Sequence, residues 1–501
     1  MNLAELFQTP ISRGLVQYVR GPMDVPVSDL CVDSRRVTPG SLFIAQKGTN
    51  QDSHLYLAQA AEAGSVAFLV ESTDHVPQGF KGAVLLTSQS RRVVGDIAEK
   101  WNDFPSDHLF CVGITGTNGK TTTSHMVEWI LEPHAPCAVI GTINHHLGKR
   151  VWPTQLTTPG PVELHSRLQE FLKAGAKSVS MEVSSHALSQ KRADQIQFDV
   201  AVFTNLTRDH MDFHKSFSDY FAAKARLFRE LLPNSRKKQK GAVLNADDDH
   251  GLQLAQEMRT RGISLLTFGA HKDADLRYEI RREGLDGTEF VCHHLKTKLS
   301  LFFPQPCRHN VQNALAAVAV GVFYGISLAE ALERMSQFPG VPGRLEPVNN
   351  RRGLHIFIDY AHTDDALKSV LGSLRQLEKR SSSKPLRVLT VFGCGGDRDK
   401  GKRPLMARAA LEHSDLVVVT SDNPRNEDPQ QIIEDIVGGL PTELLKKTKT
   451  IVDRREAIRY ALEVSQPGDV IVIAGKGHED YQIIGKERIP FSDRQVVSSL
   501  L

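Results

Sequence analysis

Along this chain, short apolar runs end repeatedly in small, polar or glycine-rich loops, and helical stretches separate them. The runs "HLFCVGI", "CAVIGT", "AKSVSMEVSS" and "FDVAVFTN" have the near-continuous apolar character of strands buried on both faces. Such strands alternating with helices predict an α/β region on a mostly parallel sheet. The first of them runs into the loop "GTNGK", and "TTTSHMVEWIL" continues as a helix. Ligands of parallel sheets gather at the carboxyl ends of strands, so "GTNGKT", "EVSS" and "TNLTRDH" are expected to converge.

Residues 1 to about 107 have a different texture, with short runs such as "SLFIA" and "SVAFLV" and helical "YLAQAAEAG" between them. The alanine-rich stretch 309–325 reads as a helix packed on several sides, and "GVPGRLE" (340–346) carries the Pro and Gly of a boundary. Beyond it, "LHIFIDYAH", "LRVLTVFGCGG", "SDLVVVTSDNPR" and "GDVIVIAGKGHE" again place strands before glycine-rich or charged loops. A chain of 501 residues exceeds one ordinary core, and three domains are expected: 1–107, 108–342 and 343–501.

Composition narrows the class. Apolar residues at 40%, charged residues at 24% and a net charge of +3 describe a soluble globular protein with no demand for nucleic acid. The run RKKQK (236–240) reads as a solvated turn between a helix and a strand. Six cysteines, none in a CxxC pair, fit a reducing cytosol, and cytoplasmic location is expected. Cys292, His293 and His294 are adjacent on a strand pattern and point to opposite faces, which argues against a metal site there. No apolar run approaches the ~18 residues of a membrane span.

The stretch "CVGITGTNGKTTT" (111–123) departs from the usual Walker A spelling, which requires glycine where Ile114 stands. What phosphate needs is a tight turn with inward N–H groups, a helix N-terminus behind it and a lysine in front. Gly113, Gly116 and Gly119 are expected to supply the turn, Lys120 the cation, and Thr121 or Thr122 a hydroxyl for magnesium. The fold class is accordingly α/β, with a central P-loop ATPase-like, mostly parallel sheet and a C-terminal Rossmann-like domain. Lys224 falls on the apolar stripe of "SFSDYFAAKARLFRELL". It either snorkels along that surface or is held inward near metal and phosphate, where it needs a charge partner or conversion to an anion. Glu182 and His210 follow strands of the same region, and either cap and brace loops or, with the threonines, complete a magnesium site.

These motifs together resemble the Mur ligase family, whose loop is written GTNGKT[TS], matched at 116–122. The resemblance extends through "VSMEVSSHAL" (179–188), "FTNLTRDHMDFH" (203–214), "HNVQNALAA" (309–317), "PGRLE" (342–346), "DYAHT" (359–363), "FGCGGDRDKGKRPLM" (392–406), "DNPR" (422–425) and "GKGHE" (475–479). It implies an ATP-dependent ligase of peptidoglycan synthesis, resembling the member that adds a diamino acid to UDP-N-acetylmuramoyl-L-alanyl-D-glutamate. It implies that Gly116, Thr117, Asn118, Gly119, Lys120, Thr121 and Thr122 hold the ATP phosphates. Asn310, Asn313, Arg344, Asp359 and His362 would add nucleotide contacts. Thr121, Glu182, His210 and a carbamylated Lys224 would hold magnesium, with Lys120, Glu182, His210 and Lys224 forming the catalytic set. Ser34 would bind the UDP part, and Thr157, Thr158, Ser184, Gln190 and Arg192 the peptide and muramoyl parts. The family spelling after DYAHT carries proline where this chain has Asp364, which puts the shape of that loop in question.

In the family that the chain resembles, "DNPR" accompanies the members that add meso-diaminopimelate rather than L-lysine, and an arginine there suits a second carboxylate because it grips one bidentately. Asp422, Asn423, Pro424 and Arg425, with Arg398, Gly475 and Glu479, are the expected recognition group. The same four residues also read as a turn ahead of a helix. The alternatives are lysine addition by the same ligase, a folylpolyglutamate synthase-like ligase, or an ATP-binding module without ligase chemistry. A monomer is expected.

Overall fold

The computed structural model describes residues 1–48, 51–154, 156–211, 213–381 and 386–501. By contact density the chain divides into two compact units, Met1–Arg277 with Asn313–Ala331, and Tyr278–Gln312 with Leu332–Leu501.

The first unit holds two sheets. The N-terminal one has five strands in the spatial order Gln17–Arg20, Ala83–Leu86, Ala67–Val70, Ser41–Ile44 and Asp29–Cys31. All its pairings are parallel except that of the edge strand Gln17–Arg20. Leu42, Ile44, Leu69 and Leu85 pack on one face with Val93, Ile97 and Ala98 of the helix Ser90–Trp101.

The second sheet of this unit is built around the strand Phe110–Thr115. Ser178–Glu182 and then Cys137–Ile140 lie on one side of it, and Val200–Phe203, Gly241–Asn245 and Ser264–Gly269 on the other, all parallel. These strands are buried nearly throughout, as expected when helices cover both faces. The chain leaves Phe110–Thr115 toward one edge and later returns to fill the other. That makes the loop after Thr115 a topological switch point, where parallel sheets open a crevice. The registers Ile114↔Glu182 and Thr115↔Phe203 bring the ends of three strands level there. Two antiparallel strands, His145–Leu147 and Arg150–Trp152, extend the Cys137–Ile140 edge.

RKKQK does form a turn between a helix and a strand, but it is only partly solvated. Arg236 bonds Glu99 at 2.6 Å and Asp107 at 3.0 Å, Lys237 lies 3.2 Å from Asp199, and Lys240 donates to the Pro233 and Ser235 carbonyls. The run ties the segment joining the two sheets to the central one.

The second unit contains an antiparallel pair, Gly287–His294 with Thr297–Phe303, and a six-stranded sheet. Its spatial order is Glu346–Val348, His355–Asp359, Val470–Ala474, Val388–Phe392, Leu416–Val419 and Thr448–Thr450, parallel apart from the first strand. The carboxyl ends of four of these strands again carry the polar motifs. Among the described residues, no helix is long and apolar enough to cross a membrane.

Candidate active site

Two glycines shape the phosphate loop. Gly116 sits at φ 149° and Gly119 at φ 84°. A Cβ on Gly116 would stand 1.9 Å from the Thr204 hydroxyl, and one on Gly119 would stand 2.4 Å from Asn313 Oδ1. Gly113, expected in the turn, lies inside the strand Phe110–Thr115, where its missing side chain makes room for the Phe198 ring. Ile114 is likewise an interior strand residue and fully buried. Glycine is required only where the backbone turns left-handed, which explains how isoleucine can occupy the Walker A position.

The loop is pinned by the segment after the strand Val200–Phe203. The Thr117 N–H donates to Asn205 O at 2.9 Å, the Asn118 N–H to Asn205 Oδ1 at 2.9 Å, and Thr204 Oγ1 to Asn118 O at 2.6 Å. The helix Lys120–Leu131 starts directly behind it, with Thr121 and Thr122 in its first turn. The positive end of its dipole favours an anion at that point.

Two lysines meet at one carbonyl. Lys120 Nζ donates to Gly116 O at 2.9 Å and Thr117 O at 2.8 Å, and Lys224 Nζ donates to the same Gly116 O at 2.7 Å. Lys224, from the helix Phe217–Arg226, is 1% exposed and does not snorkel. Its Nζ lies 4.5 Å from the centroid of the Tyr220 ring, whose hydroxyl is 3.0 Å from Thr117 Oγ1. Burial, reinforced by the charge of Lys120 and opposed by Asp209, holds the Lys224 ammonium well below its ordinary pKa.

Glu182 ends its strand fully enclosed. The Thr142 N–H donates to its Oε1 at 2.8 Å and Thr142 Oγ1 to its Oε2 at 3.1 Å. Thr142 Oγ1 is also 3.0 Å from Thr157 Oγ1, and Thr158 Oγ1 donates to the Glu182 carbonyl at 2.8 Å. The Ser184 N–H reaches Thr158 Oγ1 at 3.2 Å, and Arg192 donates to Thr158 O at 3.0 Å and to Gln190 Oε1. Thr157, Thr158, Ser184, Gln190 and Arg192 thus form one hydrogen-bonded network with Glu182. His210 takes a left-handed conformation at φ 54° and stands with other rings, 4.9 Å from His186 and 6.1 Å from Tyr220 between centroids. Ser34 lies in the N-terminal sheet region, in the short turn Ser34–Arg36, and its hydroxyl donates to Gln59 Oε1 at 3.0 Å.

The helix Arg308–Tyr324 carries two expected nucleotide contacts, Asn313 beside Gly119 in the first unit and Asn310 in the second. Asn310 Nδ2 donates to Pro306 O at 2.9 Å.

Within the second unit, Asp359 accepts the N–H groups of Leu345 at 2.7 Å and Ala361 at 2.8 Å. Burial raises its carboxyl pKa against the opposing charge of Arg344. The Arg344 guanidinium stacks 4.8 Å over the Tyr360 ring, and His362 lies 4.7 Å from the same ring. Burial pushes the Tyr360 hydroxyl up to about 12 and lowers the His362 pKa.

The DNPR segment and GKGHE form the second cluster of this unit. Lys476 is completely buried and reaches Glu479 Oε2 at 3.1 Å, Asn423 Oδ1 at 3.3 Å and Asp422 Oδ1 at 3.5 Å. Asn423 Nδ2 also donates to Glu479 Oε2 at 2.9 Å. Gly475 sits at φ 109°, and a Cβ there would lie 2.8 Å from Asp422 Oδ2. Arg425, in a left-handed turn at φ 52°, donates through Nη1 to Gly396 O at 2.8 Å. A Cβ on Gly395 would lie 2.8 Å from Arg425 Nη1 and 3.7 Å from Arg398 Cγ, which places both guanidinium-bearing side chains at one loop. Pro424 is buried in the turn, whose Asp428 then caps the helix Pro429–Val437. Sequence reasoning passed over Thr142, Asn205, Tyr220, Tyr360 and Lys476. Asn205, Tyr360 and Lys476 stood inside quoted motifs, but Thr142 carried no signal beyond following a strand.

A glycine-cornered loop at a helix N-terminus, on the switch point of a parallel sheet and fronted by two lysines, defines a nucleotide-binding α/β protein. Family models match accordingly: the Mur ligase middle domain over residues 114–321 and the "Mur ligase, glutamate ligase domain" over 343–477. The UDP-N-acetylmuramoyl-L-alanyl-D-glutamate--2,6-diaminopimelate ligase of Geobacter sulfurreducens is 42% identical over 499 residues, covering 95% of each chain. The ligase of the same name from Geobacter metallireducens is 41% identical, covering 96% of this chain and 95% of its own. A solved structure of a UDP-N-acetylmuramoyl-L-alanyl-D-glutamate--2,6-diaminopimelate ligase superposes with a TM-score of 0.69 at 32% identity, covering 100% of this chain and 98% of the other. The chain belongs to the Mur ligase family.

Proposed function

We infer that the chain is an ATP-dependent carbon–nitrogen ligase that adds diaminopimelate to UDP-N-acetylmuramoyl-L-alanyl-D-glutamate. The observation that carries this reading is the full-length likeness to relatives of that name, at 42% identity over 95% of the chain. Incubating the protein with ATP, the UDP-linked dipeptide and equal meso-diaminopimelate and L-lysine tests it by product mass. A product heavier by diaminopimelate is expected. Preferential lysine incorporation overturns the amino-acid assignment, and no product at all overturns the ligase. The reaction belongs to cell-wall synthesis in the cytoplasm, and residues 1–107, 108–342 and 343–501 would take the precursor, ATP and the amino acid respectively.

In the reaction proposed, the side-chain carboxylate of the precursor's D-glutamate attacks the γ-phosphorus of ATP, giving an acyl phosphate and ADP. The neutral amine of diaminopimelate then attacks that carbonyl, and the tetrahedral intermediate expels phosphate as the amide forms. The 116–122 loop, braced on Asn205 through the Thr117 and Asn118 N–H groups, offers the start of the helix Lys120–Leu131 and the Lys120 ammonium to the ATP phosphates, which would counter charge on the transferred phosphoryl group. Asn310, Asn313, Arg344, Asp359 and His362 serve the nucleotide. Thr157, Thr158, Ser184, Gln190 and Arg192 orient the acid from the network around Glu182, and Ser34 the UDP. Arg425 and Arg398 take the carboxylate at the far end of the diamino acid, with Asp422, Asn423, Gly475 and Glu479 shaping the pocket around the Pro424 turn.

Magnesium fits the donors present. The Thr121 hydroxyl and the Glu182 carboxylate are hard oxygen ligands, and the exposed His210, in the loop after the strand Val200–Phe203, would add an imidazole nitrogen. When bound, magnesium neutralises phosphoryl charge. Lys224 suits the same role only after losing its positive charge. Burial lowers its pKa and so favours the neutral amine, the form whose nitrogen would add to carbon dioxide and release a proton to give a carbamate anion.

A further inference from the structure

One cluster lies outside everything assigned above. His125 and Glu128 stand one turn apart on the helix Lys120–Leu131, and His146 comes from the strand His145–Leu147. Their ligand-capable atoms all lie within 4.8 Å of one another, and this is the sole such group among the described residues. Glu128 Oε1 is 2.8 Å from His146 Nε2, and Glu128 Oε2 is 3.4 Å from His125 Nδ1. The three side chains are 19%, 10% and 14% exposed, for Glu128, His146 and His125, so they are sheltered but reachable from solvent.

The decisive feature is His146. Its Nδ1 lies 2.7 Å from Asn144 Oδ1, and its Nε2 faces a carboxylate oxygen. Both ring nitrogens therefore meet acceptors, while a neutral imidazole has one N–H. In the tautomer that donates Nδ1–H to Asn144 Oδ1, the Nε2 lone pair faces Glu128 and is open to a metal ion held between them. A carbonyl holding the far N–H of a histidine is the outer-sphere arrangement that fixes a ligating ring. Two imidazoles and one carboxylate are also the donor set of open zinc sites. With metal–ligand bonds of ~2.0–2.1 Å, tetrahedral donors stand about 3.3 Å apart. The His125–Glu128 pair already has that spacing, and the His146–Glu128 pair needs to open by only a fraction of an ångström.

We propose that His125, Glu128 and His146 form a binding site for one zinc-class transition-metal dication, with a solvent molecule completing the coordination. Imidazole donors favour zinc, cobalt or nickel over magnesium, so the site is chemically separate from any magnesium that accompanies ATP. Its structural consequence is a brace between the phosphate-loop helix and the hairpin that follows the strand Cys137–Ile140.

The test uses the full-length chain, stripped with a chelator, saturated with Mg2+ and then given Zn2+ or Co2+. Bound zinc is counted by elemental mass spectrometry after gel filtration, and cobalt coordination is read from visible absorption. Wild type is expected to retain one zinc per chain more than His146→Ala or His125→Ala. It should also show a tetrahedral cobalt spectrum that both variants lose and a zinc-dependent rise in Tm that neither shows. Loss of one ligand should weaken zinc at least as much as loss of an outer-sphere partner, about 10–100-fold. Glu128→Gln keeps the side-chain shape, and its circular dichroism separates lost binding from lost folding. His210→Ala should retain the zinc. Equal zinc in wild type and His146→Ala overturns the site and leaves His146 as a hydrogen-bonded bridge between Glu128 and Asn144. Zinc lost in His210→Ala but kept in His146→Ala assigns it to the magnesium position and overturns the proposal equally.

Discussion

The two units each bury a lysine at the mouth of a parallel sheet, but they treat its charge in opposite ways. Lys476 is wrapped by Asp422, Asn423 and Glu479, so its positive charge is neutralised within the fold. Lys224 donates to the Gly116 carbonyl, and burial, reinforced by the nearby charge of Lys120, disfavours its protonated form. The lesson is that compensated charge builds architecture, while a lysine whose charge is disfavoured by burial is left available for chemistry. The loop at Gly116 has the second character, and the DNPR cluster has the first, with Arg425 projecting from a surface that Lys476 holds rigid.

The largest effect should come from removing the compensated cation. Lys476→Met leaves the buried Asp422 and the partly buried Glu479 without their partner, and urea unfolding should register a loss of about 3–5 kcal/mol. A loss below about 1 kcal/mol would mean that the cluster is wetter than its burial indicates and would break the contrast. Next, Lys120→Met should lower product formation about 10²–10³-fold with little change in the unfolding midpoint. A purely structural role would reverse that pattern. Arg425→Lys keeps the charge but not the bidentate geometry, so the KM for diaminopimelate should rise about tenfold while that for ATP stays constant. Unchanged amino-acid kinetics would remove Arg425 from the recognition group.

The effect that is smallest near neutral pH, and grows only as pH falls, concerns a buried histidine. His165 is enclosed in the first unit with neither ring nitrogen hydrogen-bonded among the described residues, and burial lowers its pKa to about 3. Below its ordinary 6.5 the unfolded chain takes up a proton that the folded chain refuses, so its stabilising contribution is full above 6.5 and is lost as pH falls toward 3. The decline should be about 1.4 kcal/mol per pH unit in that window, and His165→Leu should flatten it in urea titrations on either side of 6.5.

Legibility followed the range of the interactions. The parallel strands were visible because burial on both faces writes unbroken apolar runs, and the phosphate loop because a left-handed turn demands glycine within a few residues. Gly113 was misread for the same reason: its glycine answers to the Phe198 ring, 85 positions distant in a count from 113 to 198, and no local pattern encodes that contact. Lys476 and Thr142 were invisible as functional residues because their partners arrive from other strand ends. The DNPR turn shows both cases at once. Pro424 announces the turn locally, but the docking of Arg425 on Gly396 depends on a loop that follows another strand.

The oxygen shared by Lys120 and Lys224 belongs to the main chain, and that changes how the site responds to mutation. No codon substitution at position 116 can delete a peptide carbonyl. Any side chain introduced there would instead collide with the Thr204 hydroxyl. Sensitivity is thereby displaced onto residues that aim the carbonyl, so genetic screens should find inactivating changes at 204 and 205 as readily as at the lysines themselves.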